Sequence, residues 1–162
     1  MIFMSQSGLM DTTRQAQWDT WYVEHLRIMR TVPGIISAQR FTTGAAGFPP
    51  SLAMYTVVSE AVFRDPYYLS IRGMGEWKPL IDPRHYHRNL FDGLDTAPHV
   101  PSDYVLVVAD RSQPDPSLGS MAWLRTVGID RSTPYRGIAV VGSSRTTEFD
   151  GMNVGIYAPV AK

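Results

Sequence analysis

The sequence of 162 residues predicts an α+β fold, ordered β-α-β-β-α-β and then a shortened β-α-β-β. Three observations carry that expectation. Large residues recur at helical spacing between Trp18 and Val32. Short runs rich in β-branched and aromatic residues, such as YVLVVAD at Tyr104–Asp110, alternate with Pro- and Gly-marked turns. The composition, 44% hydrophobic and 19% charged, is that of an ordinary globular domain, and the length suffices for one real core.

The elements follow in order. Ile2–Gln6 reads as a short strand. Asp11 or Thr12 can cap a helix, because a side-chain oxygen there accepts from free N–H groups of the first turn. Trp18, Trp21, Tyr22, His25, Ile28, Met29 and Val32 then share one helical face, which Pro33-Gly34 ends. Ile35–Thr42 and Leu52–Val58 are strands around a turn-rich connection at 44–50. A second helix spans Ser59 to about Arg72, with Asp65-Pro66 as a break or restart. Gly73–Pro83 is irregular, and Arg84–Phe91 is a polar strand. After a linker at 96–103 come the strand Tyr104–Asp110, a short helix Leu118–Val127, and the strands Tyr135–Val141 and Asn153–Val160. The expected division is 1–95, the linker 96–103, and 104–162 packed back on the first part as one compact domain.

The β-α-β-β-α-β order is the ferredoxin-like arrangement, with helices on one face of its sheet. The other face needs a cover, from the shortened second half, a second chain, or both. A homodimer or higher oligomer is expected on that ground.

Charge and cysteine usage exclude several function classes. Fifteen basic residues balance fifteen acidic ones, which argues against nucleic acid as a partner. Zero cysteines exclude disulfides, thiolate catalysis and Cys-ligated metals, and fit a reducing, cytoplasmic setting. No apolar window is long enough for a membrane helix, and Met1–Met10 has no basic start of a secretory signal.

The run Trp18-x-x-Trp21-Tyr22-x-x-His25, then Val32-Pro33-Gly34-Ile35 and Ser37-Ala38-Gln39-Arg40-Phe41, resembles the EthD-like proteins of the dimeric α/β-barrel superfamily. Tyr55, Asp65-Pro66-Tyr67-Tyr68 and Arg84-His85-Tyr86-His87-Arg88 follow in the order that family leads one to expect. The resemblance covers about residues 1–92. It implies a dimeric or pseudo-dimeric α/β barrel that binds small molecules between sheet and helices. Relatives include cofactor-free monooxygenases, lactone isomerases, polyketide cyclases and haem-degrading enzymes, so it is a weak guide to the reaction.

The histidines are the candidate catalytic groups. His25 shares a helical patch with Trp21 and Tyr22. Desolvated there, a neutral imidazole can accept a proton from an acidic C–H or O–H; the alternative is a buried structural histidine among core aromatics. His85 and His87 share one face of a strand, and Arg84, Tyr86 and Arg88 the other. Either a polar pocket lies there, or a wet edge strand. Trp18, Trp21, Tyr22, Arg40, Tyr55, Arg84 and Arg88 are the candidate substrate-binding residues, the arginines for a carboxylate or phenolate. His-x-His is also a metal pattern, but neither Glu76, Asp82 nor Asp92 stands at a defensible third-ligand spacing, and His99 lies in the linker. No Gly-x-Ser-x-Gly or dinucleotide loop is present. The expected function is proton transfer by His25, His85 or His87 on a hydrophobic, aromatic or lactone-type compound, with no cofactor and no metal. The alternatives are a non-catalytic small-molecule binder or assembly protein, and a metal- or haem-dependent oxygenase.

Overall fold

In the computed structural model, which describes residues 1–161, eight antiparallel strands close into a barrel within one chain. They are β1 (Ile2–Ser7), β2 (Ile35–Thr42), β3 (Ser51–Val57), β4 (His87–Asp92), β5 (Tyr104–Arg111), β6 (Ala122–Ile129), β7 (Tyr135–Gly142) and β8 (Gly155–Pro159). Two helices, α1 (Gln15–Met29) and α2 (Pro66–Ile71), lie outside the first four strands. Around the barrel the order is β1-β3-β2-β8-β5-β7-β6-β4. Within β1–β4 it reads fourth-first-third-second, and within β5–β8 it reads the same. The runs join where β2 meets β8 and where β4 meets β6.

The period-2 alternation of the strands sorts side chains into layers. Ile2, Met4, Leu52, Met54, Phe91, Leu106, Val108, Leu124, Ile138 and Tyr157 belong to the buried cluster inside the barrel. Phe3, Ala53, Tyr55, Val57 and Leu90 face outward and pack with Trp18, Tyr22 and Met29 of α1 and Tyr68 of α2. The outer face of β5–β8 is covered more thinly, by Leu118, Met121 and Phe149 from connecting turns.

Four sequence expectations are corrected. The helix expected over Leu118–Val127 is strand β6, preceded by a 3-10 turn at Pro116–Leu118. Leu124 faces in and Trp123 out, a strand alternation that the partial helical register conceals, and β6 pairs along both β4 and β7. Gly137 of β7 makes room for it: a Cβ there would stand 2.7 Å from Met121 Sδ and 3.0 Å from the Trp123 ring. The stretch 96–103 is more than a linker. Val100 plugs one end of the barrel, with Gln39 donating to its carbonyl (2.7 Å) and accepting from its N–H (3.0 Å). The second helix shrinks to α2, because Pro66 starts a new helix capped by Asp65. Strand β4 starts only at His87; Arg84 sits in the preceding turn, ion-paired to Asp82 at 2.7 Å. The cover for the first sheet comes from the chain's own strands β5–β8, the first of the expected alternatives.

Candidate functional site

The expected site residues line two separate cavities rather than one. The first lies on the helix side of the sheet. Tyr22, His25 and Met29 from α1 face Phe3 and Ser5 of β1, Tyr55 of β3, Tyr68 of α2, and Tyr86 and Arg88 at the start of β4. The chamber holds only about 20 Å³, room for roughly one water. Arg72, Gly73, Met74, Tyr86 and Arg88 also line a groove of about 630 Å³ with Lys78 at its edge, so the chamber is the groove's inner end.

His25 lies flat on Trp21, with ring centroids 4.6 Å apart and an interplanar angle of 12°, and meets Tyr22 edge-on. Burial alone pushes its pKa down to about 4. The imidazole is therefore neutral at pH 7. Burial likewise pushes the Tyr22 hydroxyl up to about 12 and raises Tyr55 and Tyr68, so these phenols remain proton donors. Arg88 completes the wall. Its Nη2 is 3.5 Å from Asp130, while its buried Nε has no hydrogen-bond partner among the described residues. An unpartnered guanidinium N–H in a cavity wall favours an anionic ligand group.

The second cavity, of about 340 Å³, is the open end of the barrel, opposite the Val100 plug. It is lined by Gln6, Phe48, Arg84, His85, His87, Asp110 and Tyr157, among others. His85 and His87 do share a face, as expected, but that face looks into the barrel mouth and Tyr86 and Arg88 look out to the groove. Arg84 joins the histidines rather than Arg88, because it belongs to the turn and not to the strand.

Three of the other expected ligand contacts are engaged within the protein, although Arg40 also lines a separate cavity of about 210 Å³. Trp18 is buried, stacked on Trp21 and met edge-on by Tyr22 and Trp77. Arg40 is 3% exposed, ion-paired to Asp19 at 2.7 Å, with Nε donating to Ser51 Oγ and its guanidinium over the Tyr22 ring. Tyr55 stacks on Phe3 with its ring centroid 5.3 Å away and shows only an edge to the chamber. Sequence reasoning missed Tyr68, Tyr86 and Arg72 in the cleft, and Gln6, Asp110, Arg136 and Tyr157 at the mouth. Alternation gives a signal for the last group, since Asp110 and Arg136 stand in phase with the inward Val108 and Ile138.

Among the described residues no group of three or more His, Asp and Glu is placed to share a metal ion. Among the described residues no helix is long and apolar enough to cross a membrane.

No family model and no curated protein matches the chain. A solved structure does: the crystal structure of a chlorite dismutase-like protein is similar over 99% of this chain and 94% of that one. The TM-score is 0.50 and the identity 10%. At that identity the likeness is one of fold. It concerns the chain's mixed α+β architecture, an antiparallel barrel of eight strands with few helices. It does not single out the EthD-like branch.

Proposed function

We propose that the chain is a cofactor-independent small-molecule enzyme of EthD-like type, whose site is the helix-side cleft. The groove would take a hydrophobic, aromatic or lactone-type compound with an acidic C–H or O–H. The observation that carries this reading is a neutral, half-buried His25 that lines the same chamber as Arg88, whose Nε is unpartnered among the described residues.

The physical logic is charge pairing. A histidine with a pKa near 4 is a poor base on its own. Proton abstraction creates an imidazolium and a substrate anion together, and the two stabilise each other in the same low-dielectric space. The Trp21 face supports the imidazolium, and Arg88, with Arg72 and Lys78 along the groove, supports the enolate or phenolate. The chamber admits one small group, so the transfer is direct or passes through one water. Isomerisation and cyclisation both need this step. Two ferredoxin-like units, the second shortened, are our reading of the repeated strand order.

At the helix-side cleft the haem reading lacks room. A porphyrin cannot enter the chamber of about 20 Å³ at His25, and no histidine lines the larger groove. The rival from another class, a binder without chemistry, keeps the groove and needs no base.

Hydrogen–deuterium exchange separates the two. Lactones and phenols with activated C–H bonds are incubated with the protein in D2O and followed by mass spectrometry. Exchange catalysed by wild type and lost in His25→Ala supports the enzyme. Binding without exchange in both proteins assigns the groove to a binder.

A further inference from the structure

We propose that the open end of the barrel is a second ligand site, independent of the helix-side cleft, that takes a small neutral polyhydroxylated molecule such as a polyol or monosaccharide. The floor of this site is a built polar layer. Arg136, 0% exposed, donates from Nε and Nη2 to the two carboxylate oxygens of Asp110 (2.7 and 2.8 Å). Its Nη2 also donates to Gln6 Oε1 at 2.8 Å, and its Nη1 meets the Met4 thioether at 3.6 Å. Gln6 Nε2 in turn donates to the Tyr157 hydroxyl (3.5 Å), which donates to the Pro49 carbonyl (2.9 Å). Buried polar networks of this kind hold their members in one geometry.

The charges of the mouth cancel in pairs. Asp110 faces Arg136, Arg84 is paired with Asp82, and Arg111 with Asp115. An ion gains little from such a lining, whereas a neutral molecule gains its hydrogen bonds without an unpaired charge left behind. The free capacity is mixed. The Asp110 side chain is 44% exposed and offers outward lone pairs, Arg84 and Asn153 offer donors, and the histidines add ring nitrogens, with His87 Nε2 already engaged by the Arg84 carbonyl. A hydroxyl, at once donor and acceptor, satisfies both sorts. Phe48, Pro49 and Val108 supply the apolar wall against which C–H groups of such a molecule pack. Gly155 lets Phe48 stand over Tyr157: a Cβ there would come within 2.6 Å of the Tyr157 ring and 3.0 Å of Phe48. The volume of about 340 Å³ lies at the small end of ligand pockets and suits a hexose rather than an extended chain.

The test is a two-dimensional NMR titration of the whole chain with D-glucose, glycerol, glycine and acetate. The expected result is saturable millimolar shifts for glucose or glycerol at Gln6, His85, His87, Asp110 and Tyr157. Phe48→Ala and His85→Ala are expected to weaken that affinity by about tenfold each. Both side chains are half-buried and outside the Arg136 network, so the variants keep the floor intact. Shifts with acetate or glycine but not with the hydroxylated probes would overturn the proposal. So would shifts confined to the His25 cleft, unchanged affinity in both variants, or no shift at the mouth.

Discussion

Strands β1–β4 and β5–β8 repeat one order, yet they are clad differently. The first run carries α1 and α2 on its outer face, and the second only turns. Each contains one buried arginine with a half-exposed carboxylate partner: Arg40 with Asp19 and Arg136 with Asp110. Arg40 stands outside the barrel under α1, whereas Arg136 stands inside it. The contrast shows which property the barrel requires of both runs, a continuous inner face, and which is free to differ, the outer cover. Loss of the helices leaves the outside of β5–β8 with no cleft like that of His25. The barrel mouth, shared by both runs, is a concavity of polar character that does not depend on the helices.

The two ion pairs differ in strength, and this gives the largest expected effect. Asp110 holds Arg136 through two hydrogen bonds inside the barrel. Asp110→Ala strands a fully buried guanidinium and should cost about 3–5 kcal/mol, read from denaturant midpoints at equal slope. Asp19→Ala should cost less, because Asp19 meets Arg40 through a single ion-pair contact, whereas Asp110 accepts two hydrogen bonds from Arg136. Equal costs would break the distinction between an inner and an outer pair.

Acid should expose the helix-clad run first. Burial holds the folded pKa of His25 at about 4, below that of the unfolded chain. Between those values the unfolded state binds more protons, so stability falls as pH drops from about 6.5. The loss levels off below about 4, where the folded state also protonates. Up to about 3 kcal/mol should disappear across that window in wild type, and much less in His25→Asn. A parallel decline in the two proteins would place the acid sensitivity elsewhere.

Much of this architecture is legible in the sequence, and the failures have physical causes. The stripe from Trp18 to Met29 and the strands at Ile35–Thr42 and Tyr104–Arg111 are local patterns that match their surroundings. β6 is different. Its residues become a strand because β4 and β7 leave an open place for one, and no local period of Trp123–Val127 encodes that need. The site was half legible for a related reason. Alternation places His85 and His87 together, but only barrel closure decides that they look inward while Arg88 looks out to His25. Closure is a long-range event between β2 and β8 and between β4 and β6.

A third experiment tests that closure in the thinly clad run. Gly137→Val pushes a branched side chain against Met121 and Trp123 and should cost about 1–3 kcal/mol. If 118–127 were a helix on the surface, the same substitution would be nearly silent. Light scattering adds a check on the same feature. A chain that covers its own sheet face should run as an 18.1 kDa monomer at micromolar concentration. A stable homodimer would have to use other surface, such as the exposed Val23, Ile36 and Val58.

The smallest expected effect is that of His25→Ala on stability at pH 7. A histidine locked into a core by hydrogen bonds loses about 1–3 kcal/mol on truncation, since its former partners are left unpaired. His25 is held by ring contacts with Trp21 and Tyr22 and borders a chamber with room for a water. Truncation removes stacking of about 0.5–1.5 kcal/mol, and water can fill part of the space, so a net cost of about 1 kcal/mol or less is expected. His87 is the comparison from the mouth. Its Nε2 lies 3.1 Å from the Arg84 carbonyl at an exposed turn, and His87→Ala should be similarly mild. A cost for His25→Ala several times that of His87→Ala would make His25 a core group and remove the proton acceptor from the cleft. Near-equal mild costs, with proton exchange lost only in the His25 variant, would assign the chemistry to the helix-clad run and leave the mouth to binding.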